Sequence, residues 1–213
     1  MTYTIRKIKT KDEITSCEKF LVNHYQWVEG PTPVTYGYAG YLEGQGMYVK
    51  MTCEEADPRR VAQEPEGRSC KEKGKRVCDD SSMEIFLGFP EEDGSISDNS
   101  LYVNFEINPN GVMYATYGFG RKDRQFISDE VYAKAAVKTV LEKDAWSLEV
   151  LFPETFLEEI SKKKSGESGM MLYCNFYKIS ETPEIEHYGS WNPINSDTPN
   201  FHLPSSFGQA VVE

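Results

Sequence analysis

The chain has 213 residues and a formal net charge of −11, from 34 Asp and Glu against 23 Lys and Arg. That field opposes phosphate backbones and anionic bilayers, so nucleic acid and membrane are excluded as partners, while cationic or neutral ligands are favoured. No apolar run is long enough to span a bilayer, and 13 Tyr, 11 Phe and 3 Trp can supply both a core and a wet recognition surface.

The opening stretch MTYTIRKIKTKDEIT has basic residues but no apolar run after them, so it does not read as a secretory signal. Five cysteines is an odd number, and without a signal they point to reduced thiols in a cytoplasmic protein. Cys53, Cys70 and Cys78 do not repeat a zinc-ribbon spacing. We read a single domain over 1–213, with 1–33 as an N-terminal extension and the apolar-poor 54–79 as a surface loop or insertion. ITSCEKFLVNHY, residues 14–25, has a weak helical spacing.

From there the segments between turn signals alternate apolar and polar residues, the period of half-buried strands. TYGYAGYL, GMYVKMTC and MEIFLG are the first three. LYVNFEI puts Leu101, Val103, Phe105 and Ile107 on one face and Tyr102, Asn104 and Glu106 on the other; NPNG then turns the chain into VMYATYG. AAVKTVLE, WSLEVLF, MMLYCNFYKI and FGQAVVE complete the strands, and PETFLEEISKKK has the proline, early acids and late lysines of a helix. The expected fold is all-β, an antiparallel β-sandwich of jelly-roll-like or immunoglobulin-like layering with one or two short helices.

The chain has no nucleophile elbow, phosphate loop, dinucleotide fingerprint or His-Glu-x-x-His helix, so nothing in it demands an enzyme. Glu84 and Glu106 on two strands form the one carboxylate pair worth weighing for glycoside hydrolysis. The polar strand faces say more. They carry Glu84 and Phe86, then Tyr102, Asn104 and Glu106, then Tyr173, Asn175 and Tyr177. Aromatic rings interleaved with amides and carboxylates suit sugars, whose C–H faces stack on rings and whose hydroxyls pair with planar polar groups. The plain alternative is a wet, tyrosine-rich sheet face.

DDSSMEIFLGFP, LYVNFEINPNG, WSLEVLFP, YCNFYKI and SWNPINSDTPNFHLPSSFGQAVV, in this order, resemble the carbohydrate-binding module family 9 domains and the stand-alone bacterial proteins similar to them, from about Val34 to the end. The resemblance implies a non-catalytic β-sandwich that grips the end of a sugar chain in an aromatic slot, with structural calcium in some members. Asp80, Ser81 and Glu84 match its acidic segment, making Glu84 a sugar hydroxyl acceptor, and Ser190 and Trp191 match its terminal Ser-Trp, making Trp191 the stacking platform. The family pattern has two site tryptophans where only one is placeable here, so Tyr36, Tyr102 or Tyr173 stands in for the second.

The expected ligand site is therefore Glu84, Trp191, Asn104, Asn175, Tyr102, Tyr173 and Glu106, with no catalytic residue, no metal ligand and no obligatory cofactor. PEEDGSISDNS offers Glu92, Asp93, Asp98 and Asn99 to a calcium ion but lacks helix-loop-helix spacing, so it reads first as a solvated acidic turn. Two other readings stand beside carbohydrate binding. One is a glycoside hydrolase using the Glu pair, and the other is an interaction or structural β-sandwich that has lost sugar binding. No feature of the sequence fixes an oligomeric state.

Overall fold

The computed structural model describes residues 2–63 and 68–213. Strands dominate, in the order β1 (Thr2–Ile8), β2 (Lys19–Val22), β3 (His24–Tyr25), β4 (Val34–Leu42), β5 (Gly46–Glu54), β6 (Ser82–Gly88), β7 (Leu101–Ile107), β8 (Met113–Phe119) and β9 (Gln125–Phe126). A short helix α1 (Asp129–Ala135) precedes β10 (Lys138–Leu141) and β11 (Trp146–Pro153). Helix α2 (Glu154–Ser161) then leads to β12 (Met171–Ser180), β13 (His187–Ser190) and β14 (Gly208–Val212).

The strands form one curled sheet in the order β10-β11-β5-β4-β1-β14-β12-β6-β7-β8-β9. It is mixed, which corrects the strictly antiparallel expectation. β1 runs parallel to both neighbours, pairing Thr2 with Gln209 in β14 and Arg6 with Gly40 in β4. Residues 1–33 thus supply a central strand, with Tyr3, Ile5 and Ile8 buried, as well as β2 and β3.

The two arms of the curl close over one core. Phe105 of β7 stacks on Phe152 of β11 with centroids 4.0 Å apart, and Phe20 of β2 stacks on Phe176 of β12 at 3.7 Å. Each fully buried side chain of this size contributes about 1.5–3 kcal/mol. Phe20 also corrects the helical reading of residues 14–25. That segment is a 3₁₀ turn over Lys11–Ser16 and then a strand in which Phe20 and Val22 face inward while Leu21 stays exposed, because β4 offers it a ladder partner.

The expected helix after Pro153 is present as α2, with Phe156 and Leu157 buried. The strand expected over AAVKTVLE begins later, since α1 runs to Ala135 behind an N-cap on Ser128. The 54–79 segment is pinned in its described parts, residues 64–67 lying outside them. Asp80, fully buried, accepts from the Val61 and Ala62 amides at 2.8 and 2.9 Å and from Asn108 Nδ2 at 2.8 Å.

Candidate functional site

The strand period sets the site. In β6, β7 and β8 the residues Met83, Ile85, Leu87, Val103, Phe105, Ile107, Met113 and Ala115 all enter the core, so their alternates emerge together on the other face. Register then lines those alternates up in rows. Tyr177, Glu84, Glu106 and Tyr114 are successive cross-strand partners, and beside them run Asn175, Phe86, Asn104, Thr116 and Phe126.

Two covers rise over this face. From the C-terminal segment, Phe201 stacks on Tyr177 at 4.1 Å, and His202 Nδ1 lies 2.8 Å from the Tyr102 hydroxyl. On the other side stands the chain from Ser69 to the 3₁₀ turn Val77–Asp79. Between them lies a cleft of about 540 Å³, with Glu84, Glu106 and Cys78 in its interior and Tyr114, Phe126 and Phe201 among its aromatic walls.

The two carboxylates are nearly sealed from solvent, Glu84 at 3% and Glu106 at 7% exposure. Burial, and then the charge of Glu106, pushes Glu84 well above its ordinary range. Burial raises Glu106 to about 7, opposed by the hydrogen bond from Asn104 Nδ2 at 2.8 Å. Burial also drives the Cys78 thiol upward, with Glu106 adding to the shift, so it is a neutral donor and not an activated nucleophile.

The guanidinium of Arg124 lies 3.6 Å over the Tyr102 ring and spends its donors on neutral oxygens. These are Thr116 Oγ1, Asn104 Oδ1 and the carbonyls of Tyr102, Thr116, Gly118 and Gly120. Arg76 is bound to Asp79 and Glu181, at 2.6 Å to each. Among the described residues, Cys78, Asp79 and Glu181 are the group whose ligand atoms fall close enough for a metal ion, within 4.8 Å of one another. Arg76 already bridges its two carboxylates, which suits an ion pair better than a metal centre.

The expected site residues divide. Glu84 and Glu106 line the cleft. Asn104 and Tyr102, both fully buried, lie behind its surface, where Asn104 orients Glu106 and Arg124 while Tyr102 carries Arg124 and meets His202. The other three lie elsewhere. Asn175 holds the terminal segment through Asn192 N, Asn192 O and Ser206 O, and the Tyr173 hydroxyl donates to Gly94 O.

Trp191 is outside the cleft as well. Its backbone continues the β13 ladder onto Phe176 O, and its half-buried ring meets Tyr3 edge-on at 5.7 Å and packs over Gly208. A β-carbon at Gly208 would come within 2.5 Å of that ring. In the acidic turn, Asp93 accepts from Ser95 within the turn, and Asp98 accepts from Ser205 of the C-terminal segment.

Sequence reasoning missed Cys78, Arg124, Phe126 and Phe201 as cleft residues. Phe126, opposite Thr116 on β9 and 51% exposed, had a signal as an apolar residue in a polar turn segment. Arg124 had none.

A family model described as carbohydrate-binding family 9 matches residues 45–212. A candidate carbohydrate-binding protein from Bacteroides uniformis superposes with a TM-score of 0.75 at 23% identity, covering 100% of this chain and 99% of its own. A carbohydrate binding module family 9 from Caldicellulosiruptor kristjanssonii in complex with cellotriose gives 0.67 at 14% identity, covering 100% and 94%. The module from the same organism in complex with glucose gives 0.65 at 14%, covering 100% and 96%. No curated protein matches the sequence.

Proposed function

The chain belongs to carbohydrate-binding family 9, and from that premise we propose that its cleft receives the end of a sugar chain without transforming it. The carrying observation is the pair of rows described above, which sets two recessed carboxylates under a rim of aromatic rings. A sugar ring presents C–H faces to Tyr114, Phe126 or Phe201 and hydroxyl donors to Glu84 and Glu106. The volume lies within the roughly 300–1,000 Å³ of small-molecule sites. The cellotriose and glucose held by the C. kristjanssonii modules make a glucose-type end the first ligand to try.

The arrangement favours binding over hydrolysis. Glycoside hydrolysis sets an acid and a second carboxylate on either side of the scissile bond. Glu84 and Glu106 are direct cross-strand partners and project from one wall. A two-layer sandwich is the reading of the curled sheet that the facing rings of β2, β7, β11 and β12 support.

Calorimetric titration of glucose and short cello-oligosaccharides into the wild type and Phe126→Ala tests this. The expected result is saturable binding that weakens about tenfold in the variant, from the loss of one aromatic contact of about 1–1.5 kcal/mol. Absence of heat with every sugar in a broad panel would remove the reading, and turnover of a chromogenic glycoside would replace it with the hydrolase.

A further inference from the structure

The cleft holds two buried carboxyl groups, Glu84 and Glu106, that no cationic side chain contacts among the described residues. Glu84 is 3% exposed, lines the cleft, and its carboxylate takes no hydrogen bond among the described residues. Glu106, its partner across the ladder, takes one from the neutral amide of Asn104. The arginines around the cleft are engaged elsewhere, Arg124 with carbonyl and amide oxygens, Arg76 with Asp79 and Glu181, and Arg121 with Asn200, while Lys71, also on the cleft lining, is exposed to solvent. Lys178 emerges on the opposite face of β12, against Glu55 and His187.

Burial and mutual proximity disfavour the ionised forms of the two acids, and a neutral sugar hydroxyl offsets that only in part. An ammonium group supplies three donors and a full positive charge to the same two acceptors. We infer that the cleft selects an amino sugar with a free ammonium group over its neutral counterpart, with Glu84 and Glu106 as the paired receptors. The inference rests on the cleft being the sugar site. The chain's net charge of −11 works in the same direction, drawing cations toward the protein before contact. A bare metal ion fits less well, since neither glutamate joins a group of three metal-ligating side chains among the described residues.

The test is a calorimetric titration of the EDTA-treated full chain near neutral pH with D-glucosamine, D-glucose and N-acetyl-D-glucosamine. N-acetylation removes the charge and keeps the ring. Glucosamine is expected to bind about tenfold or more tightly than either neutral sugar, as for a charge-assisted contact, and the ratio is expected to fall toward one in Glu84→Gln and Glu106→Gln. The wild-type ratio stands even if a variant fails to fold. Equal affinity for the three sugars, or a preference that survives in both glutamine variants, overturns the inference while leaving sugar binding in place. No binding of any sugar overturns both.

Discussion

Glu84 and Glu106 face one another across adjacent strands, out of water, and the protein bears the cost of that placement in its pH dependence. Glu106 titrates at about 7 in the folded state because burial disfavours its charge, against about 4.3 for an unfolded glutamate. The folded chain therefore binds the proton more tightly, and stability is lost as pH rises from about 4.3 towards about 7. His187 and His202, lowered by burial to about 4 and about 3, work in the other direction. Their contribution is present above about 6.5 and is lost as pH falls through that value toward the folded ones. Glu106→Gln keeps an acceptor for Asn104 and removes the charge. It is expected to raise unfolding free energy by about 1–3 kcal/mol on the alkaline side of neutrality and to change it little in acid, read by denaturant titration at the two pH values. Both glutamates were legible from strict alternation in LYVNFEI and MEIFLG. Arg124 was not, because a basic residue in a polar turn carries no sign that it will fold back over Tyr102.

At the scale of the element, β12 shows how one strand serves two faces. Its odd positions, Tyr173, Asn175, Tyr177 and Ile179, pack on the side of the cleft and terminal segment, while Leu172, Cys174 and Phe176 fill the core. The even series then continues through Lys178, a fully buried lysine. Its ammonium meets Glu55 Oε2 at 3.3 Å and His187 Nε2 at 3.0 Å, joining the end of β5 to β12 and β13. Despite its own burial, Glu55 is held below the ordinary carboxylate range by Lys178, with help from the Ser81 hydroxyl at 2.8 Å. Removing one member strands the other, so Lys178→Met is expected to cost about 3–5 kcal/mol and Lys178→Met with Glu55→Leu to recover much of it, measured by chemical unfolding. Strand periodicity made β7, β8, β11 and β12 readable, but it could not show that a lysine in core register would find an acid from β5. It also failed at residues 14–25, where a helical spacing was weaker than the ladder offered by β4. Helix α1 did have a written start, Ser128 followed by Asp129 and Glu130, within a stretch whose later residues read as strand.

For the whole molecule, the decisive contacts are the least local ones. β1 reaches across the chain to β14, pairing Thr2 with Gln209, and the same closure seats Trp191 between Tyr3, Phe176 and Gly208. A tryptophan in a nearly uncharged terminal loop has the same composition whether it faces a ligand or a core, so its side could not be read from sequence. The all-β class and the family were legible, because alternation and the order of short motifs survive without knowledge of closure. The parallel placement of β1 was not, since no local pattern distinguishes a parallel neighbour. The central claim is that ligand meets the glutamate cleft while Trp191 holds the fold. Its most direct test compares Glu84→Gln and Trp191→Ala by sugar titration and thermal unfolding on the same samples. Trp191→Ala is expected to lose about 2–4 kcal/mol of stability and to keep wild-type sugar affinity while folded, whereas Glu84→Gln loses about tenfold in affinity without loss of stability. A folded Trp191→Ala that no longer binds sugar, beside a Glu84→Gln that binds as wild type does, would contradict the account.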